Sequence, residues 1–285
     1  MENMIFLQDM LAHIKEKKEL SSLDDATILP LIKKHCSSFD FSKYSSFQQA
    51  LRNKKIKESF RLIRSELRTM YGLFLHRPLH KTDLQKSGDV DSFLSLHRST
   101  EERLSFYKEF YQKIFEVLDA NGLPQEFSVL DIACGYNPLA VVYMPRPPTY
   151  YVASDLSSQD MDTIQSFFSS RSLQGKTFAA SAISQEFQEE IKDSFFDVVF
   201  LFKALDSFES QERHSSKKLL ASLSCSFLVV TFPLVSIGGK NAIDISKRSW
   251  FEQFCARQNW EFKTLFFSNE VCYIIACSSD KRCNY

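Results

Sequence analysis

The stretch Phe127-Ser-Val-Leu-Asp131-Ile-Ala-Cys-Gly135-Tyr-Asn137-Pro138-Leu-Ala140 constrains this chain most, because it reads as a short apolar strand ending on an acid, then a tight turn, then a helix start. Gly135 permits close backbone approach in the turn. Pro138 suits a first helical position, where its fixed φ helps and its missing N–H costs nothing. Backbone donors at such a start face whatever lies above the sheet edge. A turn with one glycine is a weak signal alone, since many are plain connections. The next apolar run, Tyr150-Tyr-Val-Ala-Ser-Asp155, also closes on an acid, about 20 residues beyond the glycine, where a carboxylate can accept both hydroxyls of a ribose. The two strand ends together point to a nucleoside-bearing cofactor.

Apolar strands alternate with helical segments from Ser128 onward: Val129–Ile132, Tyr151–Ser154, Thr177–Ala180, Asp197–Phe202, Phe227–Phe232, Lys263–Phe267 and Val271–Cys277. Such alternation predicts an α/β fold with a mostly parallel seven-stranded sheet covered on both faces. Only Ser268, Asn269 and Glu270 separate the last two strands, too few for a helical crossover, so these close the sheet as an antiparallel hairpin. Residues 1–95 show helical periodicity, with breaks expected near Pro30, Ser37 to Ser46, Pro78 and Gly88. Leu94 to Leu118 reads as one linking helix, N-capped by Ser99 or Thr100, with Phe106, Phe110 and Phe115 facing in. The division is a helical part over 1–95 and a cofactor-binding part over 96–285.

At 285 residues and 44% hydrophobic, the chain can bury a large core and a smaller one. No apolar run approaches ~18 residues and the start lacks a secretory pattern, so no membrane role and a cytoplasmic protein are expected; a monomer is expected as well. Seven cysteines without paired ligand spacing fit reduced, buried thiols and no metal; Cys134 reads as a small packing residue. With 27 Phe and 7 Gly, most rings belong to cores, and Tyr71 and Tyr136 alone are assigned to base stacking.

Net charge is zero, yet nine Lys or Arg lie between Arg52 and Lys81 against only Glu58 and Glu66. Lys54, Lys57, Arg61, Arg64 and Arg68 recur at helical spacing beside an apolar stripe of Ile56, Phe60, Ile63, Leu67, Met70 and Phe74. One face packs and the other is cationic. A solvated face is the ordinary reading of such a run, but like charges with few acidic partners repel, and a phosphate backbone relieves that.

The motifs His97-Arg-Ser99-Thr100-Glu-Glu-Arg103-Leu, Leu130-Asp131-Ile-Ala-Cys-Gly135-Tyr-Asn137-Pro138-Leu-Ala, Phe196-Asp197-Val-Val-Phe-Leu-Phe-Lys203, Thr231-Phe232-Pro233 and Trp250-Phe251-Glu252 follow one another in one order. In that order the chain resembles the aminoglycoside-resistance family of small-subunit ribosomal RNA methyltransferases, which methylate a guanine N7 of 16S RNA in the decoding region with S-adenosylmethionine. The resemblance runs from about Ile56 to about Ala276 and is sharpest over His97 to Ala140. It implies the class I methyltransferase fold (Rossmann-like), with the helical part docking on the small subunit through Lys54, Lys57, Arg61, Arg64 and Arg68. For the cofactor it implies Thr100, Arg103 on the methionine carboxylate, Ala133, Gly135 and Asn137 as backbone cradle, Asp155 and Leu156 around the ribose, Ser181 near the adenine, and Lys203. Guanine N7 has an in-plane lone pair and no proton, so positioning is enough and no catalytic dyad is expected.

Three stretches depart from the family. Ala180-Ser181-Ala182-Ile183 stands where an Asp is common, Leu205-Asp206 where Leu-Pro is, and after Pro233 only Gly238, Gly239 and scattered cations such as Lys240 remain of a basic target-gripping run. A small-molecule or protein methyltransferase on the same fold, and a non-catalytic ribosome-binding relative, stay open as alternatives.

Overall fold

The computed structural model describes residues 6–77, 80, 89–236 and 241–277. Seven strands, β1 (Ser128–Ile132), β2 (Tyr150–Asp155), β3 (Gly175–Ala179), β4 (Phe196–Phe202), β5 (Cys225–Pro233), β6 (Glu261–Phe266) and β7 (Glu270–Ala276), form one sheet in the order β3-β2-β1-β4-β5-β7-β6. Pairs from β3 to β5 are parallel; β7 runs antiparallel to both β5 and β6. This is the class I methyltransferase fold. The hairpin forms as expected, except that Glu270 opens β7 opposite Pro233 and is not part of the connection. β3 begins at Gly175, where a Cβ would lie 2.1 Å from the Tyr151 carbonyl; a glycine that reads as a break in sequence is what lets β3 approach β2.

Twelve α-helices are seen among the described residues: α1 (Leu7–Lys15), α2 (Asp25–Cys36), α3 (Phe47–Ala50), α4 (Lys54–Leu67), α5 (Val90–Leu94), α6 (Arg98–Glu101), α7 (Tyr107–Ala120), α8 (Ser158–Ser170), α9 (Gln185–Ile191), α10 (Leu205–Gln211), α11 (Ser215–Ser222) and α12 (Ser249–Arg257). Both sheet faces are covered, which is why β4 and β5 are almost wholly apolar. Val198, Phe200 and Phe202 of β4 pack toward α7 and α8, while Val199 and Leu201 pack toward α9 to α12. A third core joins α1 to α4, and reaches the sheet through Leu156 just after β2. Val90, Phe93 and Leu94 pack with the α7–α8 side, and Leu75 touches both cores.

Two expectations differ, one of a break and one of a continuous helix. Pro30 sits inside α2 without ending it, because buried Ile28, Ile32 and Cys36 hold the helix across the one lost N–H. The segment 94–118 is not one helix: Leu75 and His97 form an antiparallel bridge, with His76 N donating to the Leu96 carbonyl at 2.9 Å and Arg98 N to the Phe74 carbonyl at 2.7 Å. That pairing extends the chain at 96–97 and separates α5, α6 and α7, so Ser99 and Thr100 lie within α6 and His97 takes the N-cap position. The breaks expected at Pro78 and Gly88 fall outside the described residues.

Candidate functional site

The strand order reverses between β1 and β4, and ligands of open α/β sheets bind beyond the carboxyl ends at that point. Both strands leave the sheet through a left-handed residue that is not glycine, Ala133 (φ 52°) after β1 and Lys203 (φ 57°) after β4. Such residues cost on the order of 1–3 kcal/mol and persist where the surroundings hold them. Between them lies a cavity of about 60 Å³ lined by Ala133, Asp155, Leu156, Ser181, Ala182 and Lys203, among others. It meets a 340 Å³ cavity at Met70, Ala180, Ser181 and Gln211, and a 230 Å³ cavity at Phe74, Ser99, Lys203 and Ser207. The three form a trough along the carboxyl edge, from the end of β3 to the end of β5.

Asp155 ends β2 at the middle of this trough. Its carboxylate accepts from Gly135 N at 2.7 Å and Leu156 N at 2.6 Å, so it ties the β1 turn to the β2 end. Burial raises its carboxyl pKa, and these two backbone donors oppose the rise. Gly135 is needed at φ 51°, but what approaches it is the His97 ring, 2.7 Å from where a Cβ would stand. Its N–H is already committed to Asp155.

Thr100 and Asn137 do not reach the trough. The Thr100 hydroxyl, fully buried, is directed at the carbonyls of Leu94 (2.5 Å) and His97 (2.8 Å) and locks the α5–α6 corner. Asn137 N bonds the Cys134 carbonyl. Its side chain donates to Asp131 at 2.8 Å and accepts from Tyr111 at 3.0 Å, making it the joint between β1 and α7. Tyr151 also donates to Asp131 at 2.8 Å; Asp131 is wholly buried, one oxygen is without a partner, and burial pushes its pKa up to about 7.

Arg103 is buried and occupied. Its Nε and Nη2 donate to the two oxygens of Glu270 at 2.6 and 2.8 Å, and the rings of Phe110 and Phe202 lie 5.2 and 4.9 Å from the guanidinium. It lines none of the three cavities. Lys203, which does, bonds Glu102 at 2.8 Å and stands 3.9 Å from Glu270. Burial alone would raise the Glu270 carboxyl; Arg103 and Lys203 hold it below its usual value.

Tyr71 and Tyr136 are not stacking platforms. Both are buried, and both hydroxyls donate to Asp160 at the start of α8, that of Tyr136 at 3.1 Å. Burial pushes Asp160 up to about 6. With Asp24, which accepts from Ser158 N (2.8 Å) and its hydroxyl (2.7 Å), they fasten the helical part to the loop after β1 and to α8.

The cationic stripe has more acidic partners than its own helix supplies. Lys54, Lys57 and Arg61 are exposed on α4, Arg61 pairing with Glu58 at 2.6 Å. Arg68 pairs with Glu19 at 2.7 Å, and Arg64, largely buried, donates to the His13 carbonyl and lies 3.4 Å from Glu16. Those carboxylates come from other segments of the helical part, so the repulsion inferred from local sequence is relieved by tertiary contacts at Arg64 and Arg68. Lys240 lies outside the described residues.

His97, Glu270, Ser207 and Gln211 are site-forming residues that no local pattern marked as such. The His97 ring packs between Phe74 and Tyr136 at 5.9 and 5.2 Å, and bonds Ser99 at 2.9 Å. Burial, then the charge of Arg103, lowers its pKa to about 3. Only its place next to Arg98-Ser99-Thr100 could have drawn notice to it. Among the described residues, no group of three or more His, Cys, Asp or Glu could hold a metal, and no helix is long and apolar enough to cross a membrane.

The model of the FmrO ribosomal RNA methyltransferase family matches residues 83–274. A 16S rRNA (guanine(1405)-N(7))-methyltransferase of Micromonospora rosea is 30% identical over 184 residues, 64% of this chain and 64% of the relative, so the chain spans just under two thirds of that protein's length. The enzyme of the same description from Serratia marcescens is 30% identical over 204 residues, 70% of this chain and 76% of the relative. Among solved structures, the 16S rRNA methyltransferase RmtF in complex with S-adenosyl-L-homocysteine shares the fold at TM-score 0.76 and 22% identity, covering 98% of this chain and all of that one. The 16S rRNA methylase RmtB does so at 0.71 and 23%, covering 95% and 98%.

Proposed function

This chain belongs to the FmrO family of ribosomal RNA methyltransferases, and from that membership we propose that it methylates N7 of a guanine in the decoding region of 16S RNA in the small ribosomal subunit, using S-adenosylmethionine. The observation that carries the reading is that the matched span, residues 83–274, encloses every strand end around the trough. Guanine 1405 is the position named for the curated relatives.

The residues present fit the cofactor. Asp155 is a carboxylate held on its backbone side with the trough in front of it, which suits a ribose diol. Ala133 and Leu156 would flank the nucleoside, and Ser181 and Ala182 the adenine. Lys203 stands where the first cavity opens into the second, and Arg103, oriented by Glu270, would add its charge behind the methionine end. When bound, the cofactor supplies an electrophilic methyl on a sulfonium. The chain's own part is to hold the guanine in line with that methyl and keep water out; N7 carries no proton, so no side chain has to remove one. The helical part, residues 1–95, would dock RNA through exposed Lys54, Lys57 and Arg61, with residues 96–285 carrying the transfer; a cytoplasmic monomer fits this role.

The test is calorimetric binding of S-adenosylmethionine, followed by radiolabelled methyl transfer to purified small subunits and to naked 16S RNA, with the product identified by mass spectrometry. 7-Methylguanosine in the subunits supports the reading. Cofactor binding with transfer only to a protein or small molecule overturns the substrate, and no cofactor binding overturns the activity.

A further inference from the structure

The second cavity, about 230 Å³, is lined by a carboxylate that the reaction described above leaves unused. Asp206 lies in the first turn of α10, just beyond the left-handed residue Lys203, and lines the second cavity but not the first. Arg248 Nη1 donates to its Oδ1 at 2.6 Å. Arg248 itself is 4% exposed, with its guanidinium 4.5 Å over the Phe232 ring, so the carboxylate is braced by a buried cation that cannot swing away. The Oδ2 oxygen makes no hydrogen bond to any described residue, and about half the side chain is open. The other acid of the cavity, Glu102, is taken by Lys203 at 2.8 Å.

A purine that accepts a methyl at N7 turns that edge toward the cofactor cavity, and its opposite edge therefore faces the second one. In guanine that edge carries N1–H and N2–H₂, which only donate; in adenine it carries the N1 lone pair and an apolar C2–H, the 6-substituent of either base lying on the N7 side. A carboxylate that faces Arg248 on one oxygen offers only an acceptor with the other, so it matches guanine and leaves adenine with an unmatched lone pair. Extruded bases are read through this edge while apolar side chains hold the ring faces, and Phe74, Pro233 and Val235 line the same cavity. We infer that Asp206, braced by Arg248, reads N1–H and N2–H₂ of the target guanine and sets the choice of guanine over adenine. The inference rests on the guanine-N7 reading above.

The experiment compares full-length wild type with Asp206→Asn on small subunits carrying either guanine or adenine at the position the wild type modifies. Asn keeps the size of Asp and an oxygen for Arg248, but turns one acceptor into a donor, the pattern that suits adenine. The expected result is a fall of at least about tenfold in kcat/KM on guanine, an unchanged Kd for S-adenosylmethionine, and a shift of the guanine-to-adenine ratio toward adenine of at least about tenfold. A variant that keeps the wild-type ratio overturns the inference, whether its rates are normal or reduced on both bases alike, since a purely structural role lowers both. Asp206→Glu keeps the acceptor-only group and should retain the preference for guanine; loss of that preference also overturns it. Absence of 7-methylguanosine from the wild-type product overturns the functional reading, and the inference with it; its presence with an unchanged ratio in Asp206→Asn removes the inference alone.

Discussion

Replacing Glu270 by Leu strands a charge. Arg103 is 1% exposed and Glu270 is fully buried, and the two share bonds of 2.6 and 2.8 Å. Arg103 stays ionised at any working pH, so without Glu270 the guanidinium is left among Phe110 and Phe202 with no anion against it. Removing one partner of a buried pair costs about 3–5 kcal/mol, whereas replacing both by apolar groups is often close to neutral. At about 2.1 cal/mol/K of unfolding entropy per residue, a chain of 285 residues would lose roughly 5–8 °C of melting temperature for either single change. The assay is thermal and urea unfolding of Glu270→Leu, Arg103→Met and the double variant, without cofactor. The double variant should be destabilised by less than about 2 kcal/mol, well below the sum of the singles. Singles costing under about 1 kcal/mol, or costs that simply add, would refute the reasoning and leave the pair as a solvated contact.

Asp155→Ala should weaken S-adenosylmethionine at least tenfold by calorimetry, since two charge-assisted bonds to a ribose are worth roughly 1.5–3 kcal/mol each; unchanged affinity in a folded protein removes Asp155 from the site. Lys54, Lys57 and Arg61 changed together to Ala should lower small-subunit affinity and flatten log affinity against log salt by about 2–3, whereas Arg64→Ala should cost stability and leave the slope alone. Filter-binding titrations over a salt series, with a slope that follows Arg64 and not the exposed trio, would reverse that assignment. His97 is held neutral by burial, with a pKa lowered to about 3. The unfolded chain binds its proton near pH 6.5 and the folded one does not, so its contribution to stability is present above that pH and is lost as pH falls toward 3. The His97 share of this loss is about 2 kcal/mol between pH 7 and pH 5, and His97→Gln should flatten the profile by that amount in urea titrations at the two pH values. An unaltered profile would show that His97 is solvated.

Strand ends were legible because burial on both faces demands continuous apolar runs, as in β4 and β5, and because Asp155 and Gly135 are set by local backbone requirements. Three loop-to-loop facts were not. The bridge of Leu75 with His97 breaks what 3.6-residue periodicity presents as one helix. Glu270, apparently a hairpin connector, meets Arg103 only because β7 inserts between β5 and β6. Tyr71 and Tyr136, 65 positions apart, converge on Asp160.

The alternating architecture, the terminal hairpin, the β1 turn and the acid of β2 each depend on residues within one turn or one strand of each other, so local pattern was enough to find them. Which charges are left free depends instead on the folded chain: Arg64 and Arg68 meet carboxylates brought from Glu16 and Glu19, Arg103 meets Glu270, and Asp206 meets Arg248. Charge pairing acts through space over a few ångströms, and local spacing carries no record of which distant carboxylate the fold will bring within that range.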